Sequence, residues 1–143
     1  MKKIALIYFL FTLSFSVELF AFSISAESKI YSNVLHGLSV QKEIKIWTDD
    51  KSKEEQFAKI QNVICVEKKE DAEILLLFHT LNIKSSKLIF VGSYTLLKHY
   101  KQEVLGGFYW QKGRPNLLFL KENLEKHGLV LPQNLTDYID SRL

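Results

Sequence analysis

The chain has 143 residues, of which 47% are apolar and 24% are charged, and it contains only 6 glycines and 2 prolines. This length and composition predict a single globular domain and exclude a disordered, collagen-like or multidomain chain. The formal net charge is only +3, from 19 Lys and Arg against 16 Asp and Glu, and no basic run interleaves with aromatic residues. Nucleic acid is therefore excluded as the expected partner.

The amino-terminal segment predicts export from the cytoplasm. Two lysines precede a largely apolar run at 4–17, and small residues follow it. This is the layout of a secretory signal peptide, and we expect cleavage after Ser23, with Ser25 or Ala26 as alternatives. An uncleaved anchor is the other interpretation, but Glu18 ends the apolar run after about 14 residues, whereas a membrane span needs about 20.

We therefore expect residues 1–23 to be removed and residues 24–143 to form one α/β domain in the periplasm, with no membrane span after cleavage. A single cysteine excludes an internal disulfide and a cysteine-rich metal site. Cys65 lies in the apolar run 62–66, which predicts an inert core cysteine. An intermolecular disulfide is the alternative, and a homodimer stays open.

Beyond the predicted signal peptide, apolar periodicity predicts alternating helices and strands, and Gly and Pro punctuate them singly. In chain order the predicted elements are a helix at 29–38, a strand at 43–48, a helix at 51–61, strands at 63–66, 72–78 and 87–91, a helix at 94–102 capped by Ser93, a hairpin of strands at 104–111 and 116–120, a helix at 121–127 closed by Gly128, and a helix at 135–143 capped by Asn134. This order predicts an α/β fold, a single small domain with a mixed β-sheet and helices packed on its faces.

The strands at 72–78 and 87–91 are apolar enough to be central in this sheet, and we expect the hairpin at its edge. The residues expected in the core are Ile44, Ile46, Val63, Ile64, Ile74, Leu76, Leu88, Phe90, Phe119, Leu124 and Leu131.

No sequence pattern predicts catalysis or a cofactor. The four histidines lie far apart, and none has the spacing of a metal ligand. Glycine-rich nucleotide-binding motifs and the Gly-x-Ser-x-Gly nucleophile motif are absent, so Ser93 is expected to cap a helix. The acidic pairs Asp49-Asp50 and Glu70-Asp71 are typical of solvated turns. We therefore expect no enzyme activity, no metal site and no cofactor.

Aromatic and basic residues are concentrated in one segment, 106–115. Strand alternation sends Phe108 and Trp110 to one face and Tyr109 to the other, so part of this cluster must be core. One interpretation is a strand followed by a solvated turn. The other is a partner-binding site, because aromatic anchors with a basic rim are typical of protein interfaces. The candidate site residues are Tyr109, Trp110, Lys112 and Arg114.

The second half of the chain resembles the YfiR family of small periplasmic α/β proteins. The resemblance covers residues 72–140, about half of the chain. It is carried by Leu-Ile-Phe-Val-Gly-Ser at 88–93, the paired glycines at 106–107, the strand leading into a helix at 116–124, and Gly-Leu-Val-Leu at 128–131 with the closing helix. These motifs are hydrophobic and glycine-based, so the resemblance implies a fold more than an activity.

Proteins of this family restrain an inner-membrane diguanylate cyclase. The resemblance therefore implies a noncatalytic periplasmic regulator that binds the periplasmic domain of an inner-membrane signalling protein. The cysteines of some family members are missing here, so regulation through disulfides is not implied. The alternative function is a small periplasmic solute-binding protein. Such a protein requires a deep polar pocket, whereas a protein-binding regulator requires an exposed apolar and aromatic patch with a charged rim.

Overall fold

The computed structural model describes residues 26–79, 82 and 86–141. The predicted signal peptide at 1–23 lies outside the described residues. Within the described residues, no helix is both long enough and apolar enough to cross a membrane.

Helices and strands alternate along the described chain. The helices are α1 (26–38), α2 (Glu54–Ala58), α3 (Tyr94–His99) and α4 (Lys121–Lys126), with 3-10 helices at Lys51–Lys53, Lys69–Asp71 and Gln133–Tyr138. The strands are β1 (Ile44–Thr48), β2 (Val63–Cys65), β3 (Ile74–Leu77), β4 (Leu88–Val91), β5 (Gly106–Gln111), β6 (Arg114–Leu120) and β7 (Ile139–Asp140). The hydroxyl of Ser93 accepts the N–H of Leu96 at 3.1 Å, which confirms the predicted cap of α3.

The seven described strands form one mixed sheet in the order β2-β1-β3-β4-β5-β6-β7. Strands β1 to β5 are mutually parallel, β6 is antiparallel to β5, and β7 is parallel to β6. Every residue of β3 is buried, as expected for a strand that is covered on both faces. The predicted α/β fold, with a mixed sheet and helices on its faces, is confirmed.

Each face of the sheet carries its own apolar core, because successive residues of a strand point to opposite faces. On one face, inward residues of β1, β3 and β4 pack against α1 through Tyr31 and Leu35. On the other face, alternate residues of β3 and β4 pack against α3 through Leu96 and Leu97. We call these the α1 face and the α3 face.

Aromatic rings connect α1 to the strand that carries the candidate site. The ring centroid of Tyr31 lies 4.9 Å from that of Phe57, 5.5 Å from that of Phe108 and 6.3 Å from that of Phe78. Burial raises the pKa of Tyr31 well above its ordinary value, and the nearby carboxylate of Glu27 raises it further. Tyr31 therefore stays neutral and acts as a core aromatic that positions β5 through Phe108.

Asp49 has a structural role that the expectation of a solvated turn missed. Its carboxylate accepts the backbone N–H groups of Phe78 at 2.7 Å and of His79 at 2.9 Å. Its neighbour Asp50 caps the following 3-10 helix by accepting the N–H of Ser52 at 3.1 Å. The carboxylate of Asp49 thus joins the carboxyl end of β1 to the carboxyl end of β3.

Most of the expected core residues are buried, but two are not. Ile64 is 41% exposed and Leu88 is only half-buried. Ile64 lies on the edge strand β2, where Val63 points into the core and its neighbour points to the other face. Cys65 is also half-buried rather than buried, and burial together with the nearby Glu54 raises the pKa of its thiol.

The predicted helix at 135–143 is wrong. The chain instead forms the 3-10 helix Gln133–Tyr138 and then β7, which pairs Ile139 with Phe119. Apolar residues at this spacing suit several conformations, and pairing with β6 decided between them. The predicted position of the hairpin at the edge of the sheet is also wrong. Strand β7 pairs with the base of β6 and is the last described strand of the sheet.

Candidate functional site

The candidate site residues lie on or beside the turn of the β5–β6 hairpin. Six residue pairs join the two strands in antiparallel register, ending at Gln111 opposite Arg114. The turn residues Lys112 and Gly113 both have positive φ, at 50° and 73°. A two-residue turn of this kind matches the right-handed twist of the strands that it joins. The hairpin is therefore regular up to its tip.

The base of the hairpin depends on Gly106. A Cβ atom at this position would collide with the carbonyl oxygen of Leu118 and would lie 2.9 Å from the Cα of Phe119. Both of these atoms belong to the backbone of β6, so a side-chain rotation cannot relieve the contact. The first glycine of the paired glycines thus permits the close approach of β5 and β6.

Trp110 lies on the α1 face and is hydrogen-bonded to a residue of α1. Its indole N–H donates to Glu27 at 3.2 Å, and the other carboxylate oxygen of Glu27 pairs with Lys53 at 2.6 Å. The Trp110 ring also makes an edge contact with Phe108, with ring centroids 5.8 Å apart. The side chain of Glu27 is only 15% exposed, so this ion pair is more shielded than a surface pair. Trp110 therefore helps to fix the direction of the hairpin while it stays 40% exposed.

Tyr109 lies on the opposite face, next to α3. Its ring centroid is 5.4 Å from that of Tyr94, the first residue of α3. Burial raises the pKa of Tyr109, and Tyr94 raises it further. The register places Asn116 directly across from Tyr109, so the α3 face of the hairpin is aromatic and polar.

The basic residues lie at the tip. Lys112 and Arg114 are both exposed, and no described acidic side chain forms an ion pair with either. A lysine and an arginine in this position leave hydrogen-bond donors directed to solvent, and a guanidinium can pair with a carboxylate through two parallel bonds. The tip therefore suits an acidic partner group.

The structure thus confirms the predicted alternation but does not gather the four candidates on one surface. Tyr109 and Arg114 share the α3 face by register, whereas Trp110 lies on the α1 face. Glu27 and Lys53 were not among the predicted site residues. Glu27 accepts the indole N–H of Trp110 across 83 residues of sequence and pairs with Lys53. Periodicity carries no signal for such a long-range contact.

A double-mutant cycle tests whether Glu27 holds the hairpin. The substitutions Glu27→Ala and Trp110→Phe should show a coupling energy of about 0.5–1.5 kcal/mol in chemical unfolding, because each removes the same hydrogen bond between the indole N–H and the carboxylate. The matched control pairs Glu27→Ala with Trp47→Phe, on the α3 face. That pair should couple by less than about 0.3 kcal/mol. Equal coupling in both cycles would show that Glu27 does not act through Trp110.

The fold and the tip define a small α/β protein with a projecting aromatic and basic hairpin. No family model matches the chain, and no curated protein or solved structure is significantly similar to it. Within the part of the chain that the structure describes, no group of three His, Cys, Asp or Glu side chains could hold a metal ion.

Proposed function

We propose that this chain is an exported, noncatalytic binding protein of the periplasm. It regulates an inner-membrane signalling protein, such as a diguanylate cyclase, by contact with the periplasmic domain of that protein. The observation that carries the proposal is the pair of exposed cations at the hairpin tip, Lys112 and Arg114, which have no ion-pair partner among the described residues. The class of partner comes from the resemblance of residues 72–140 to the YfiR family.

The rigidity of the hairpin supports a binding role. β5 pairs with β6 along its whole length and with β4 at Gly106 and Gly107, and the indole of Trp110 is hydrogen-bonded to Glu27 of α1. A recognition element that is ordered before binding loses little conformational entropy when the partner docks. Lys112 and Arg114 are thus presented from a scaffold that does not have to reorganise.

The charge of the tip indicates an acidic partner surface. Opposite charges across an interface raise the association rate and determine the orientation of docking. Exposed aromatic rings beside those charges supply apolar contact area. Trp110 on the hairpin is 40% exposed, and Tyr94, which packs against Tyr109 from α3, is 44% exposed, so an exposed aromatic ring lies on one face of the hairpin and another lies beside the opposite face.

The solute-binding alternative gains no comparable support from the described surface. Its depressions include one of about 510 Å³ beside α4 and one of about 520 Å³ between α1 and α2, and both are open to solvent. A receptor for a small solute surrounds most of its ligand. We therefore retain the protein-binding function as the proposal.

Charge reversal at the tip tests the proposed contact. The exported chain is used to capture its partner from inner membranes, and affinity for the captured protein is then measured with variants. Arg114→Glu should weaken binding at least tenfold, because it places a carboxylate against an acidic surface. Its unfolding midpoint should stay unchanged, because Arg114 makes no described ion pair.

Lys42→Glu is the matched control, since it makes the same change in charge in the exposed loop before β1. This loop lies at the amino ends of the parallel strands, whereas the hairpin tip follows the carboxyl end of β5. It should bind as the wild type does. Equal binding by Arg114→Glu would contradict the tip as the contact. Loss of binding and stability together would make Arg114 a structural residue. Cells that lack the protein should also change their level of cyclic di-GMP, and an unchanged level would contradict regulation of a diguanylate cyclase.

A further inference from the structure

The outer edge of β6 is only partly covered by its neighbour. β7 pairs with Phe119 and Leu120, and no described strand lies beside the preceding residues of β6. The uncovered edge, Arg114–Leu118, begins at the hairpin tip. It is therefore continuous with the surface that the proposed function assigns to partner binding.

Alternation in the β5–β6 ladder determines which backbone groups face outward. Gln111 and Arg114 flank the two-residue turn and form a hydrogen-bonded pair, and the N–H of Leu120 donates inward to the carbonyl of Leu105 at 2.8 Å. Even-numbered residues of β6 thus bond to β5, and odd-numbered residues face away from it. Leu117 presents an N–H and a carbonyl outward, and Pro115 presents only a carbonyl.

The space beside this edge is open. A depression of about 300 Å³ is bordered by Leu117 and Leu118 on one side and by Asp137 and Tyr138 on the other. Tyr138 ends the 3-10 helix that leads into β7 and is 43% exposed. The 3-10 helix contacts β6, and the depression lies between its last residues and the edge, so an added segment would extend from this depression towards the hairpin tip.

We propose that the edge Arg114–Leu118 binds an extended segment of the partner protein as an added antiparallel strand, with an acidic side chain opposite Arg114. This inference rests on the proposed function and names the form of its partner. In such a pairing Leu117 exchanges two backbone hydrogen bonds with one partner residue, and the carbonyl of Pro115 accepts a third. Antiparallel pairing is slightly more stable per residue than parallel pairing.

Charge determines which end of the segment is acidic. Arg114 and Lys112 lie at the tip end of the edge, and Asp137 lies at the other end. An acidic residue opposite Arg114 thus meets a cation, whereas the reverse orientation would bring it towards Asp137. The missing N–H of Pro115 limits pairing to a short segment and protects the edge against unspecific strand addition.

A synthetic strand tests the edge without the partner protein. The probe is the peptide acetyl-Thr-Val-Thr-Val-Glu-Thr-amide, whose first Val would lie opposite Leu117 and whose Glu would lie opposite Arg114. Saturating peptide should slow amide hydrogen exchange at Leu117 at least tenfold, because its N–H becomes bonded. The same peptide with both Val nitrogens methylated should bind at least tenfold more weakly, and so should a peptide with Lys in place of Glu.

Leu117→Pro removes the outward N–H from the protein side and should also weaken binding at least tenfold. If this variant fails to fold, the methylated peptide carries the same test. Two results would overturn the added strand. One is the absence of binding at about 1 mM peptide, which corresponds to a binding free energy weaker than about −4 kcal/mol. The other is equal binding by the methylated and the unmethylated peptide. Either result would leave the proposed function standing if Arg114→Glu still weakened binding to the membrane protein at least tenfold. Equal capture by Arg114→Glu and by the wild type, with peptide binding intact, would contradict the hairpin tip as the contact with the membrane protein and would leave the strand-binding edge supported by the peptide.

Discussion

Replacing Phe90 by Ala should lower the free energy of unfolding by about 3–5 kcal/mol. Phe90 is completely buried in the middle of β4, and its ring lies 5.8 Å from Phe119 and 6.3 Å from Tyr31. Deleting the ring removes apolar contacts with α1 and β6 at once and leaves a cavity that backbone pairing keeps from closing. Chemical denaturation of the exported domain measures the change.

The matched control for Phe90→Ala is Val130→Ala. Val130 is 90% exposed, so its truncation should change the free energy of unfolding by no more than about 0.5 kcal/mol. A loss below about 1 kcal/mol for Phe90→Ala would contradict the packing of α1 and β6 on the same face of β4.

Replacing Gly106 by Ala should destabilise the domain by about 3 kcal/mol or more, at the upper end of overpacking effects. The added methyl group would meet the carbonyl of Leu118 and the Cα of Phe119. Backbone atoms in the middle of a paired hairpin move only if the pairing of β5 with β6 or β4 is disturbed. The change should therefore lower the unfolding midpoint and also disorder the hairpin tip, as amide chemical shifts would show.

Gly113→Ala provides the comparison for Gly106→Ala. Gly113 has a positive φ of 73°, but no heavy atom lies within 4 Å of an added Cβ. Its substitution should cost only the strain of a left-handed conformation, about 1–2 kcal/mol. Equal costs for the two alanine variants would contradict the close approach of strands at Gly106 and would indicate that backbone conformation alone explains both glycines.

Local patterns predicted much of this fold. Alternation and apolar runs located strands β1 to β6, because a buried strand requires apolar residues at its inward positions whatever its neighbours are. The cap of α3 by Ser93 was likewise predictable, since the bond to Leu96 spans only three residues. The alternation of Phe108, Tyr109 and Trp110 was predicted for the same reason and is confirmed.

Features that depend on distant residues escaped prediction. Ile64 has an apolar side chain in an apolar run, yet it is 41% exposed because it points to the face of the edge strand β2 opposite to that of the buried Val63. The end of the chain became β7 rather than a helix because β6 offers a pairing edge. Glu27 and Trp110 meet only once α1 and β5 lie on the same face. Each of these outcomes follows from the order of strands in the sheet, which periodicity does not contain.

The contacts of the hairpin divide into local pairing between β5 and β6 and long-range contacts with α1, and we expect these two sets to form at different stages of folding. β5 and β6 are joined by a two-residue turn, so their pairing closes a short loop and forms without waiting for the rest of the chain. β1 lies between β2 and β3, both of which follow it in sequence, and such non-local parallel pairings form slowly. The hydrogen bond from Trp110 to Glu27 spans 83 residues. We therefore expect the shape of the tip to form early in folding and its direction, relative to the sheet, to be established only when α1 docks.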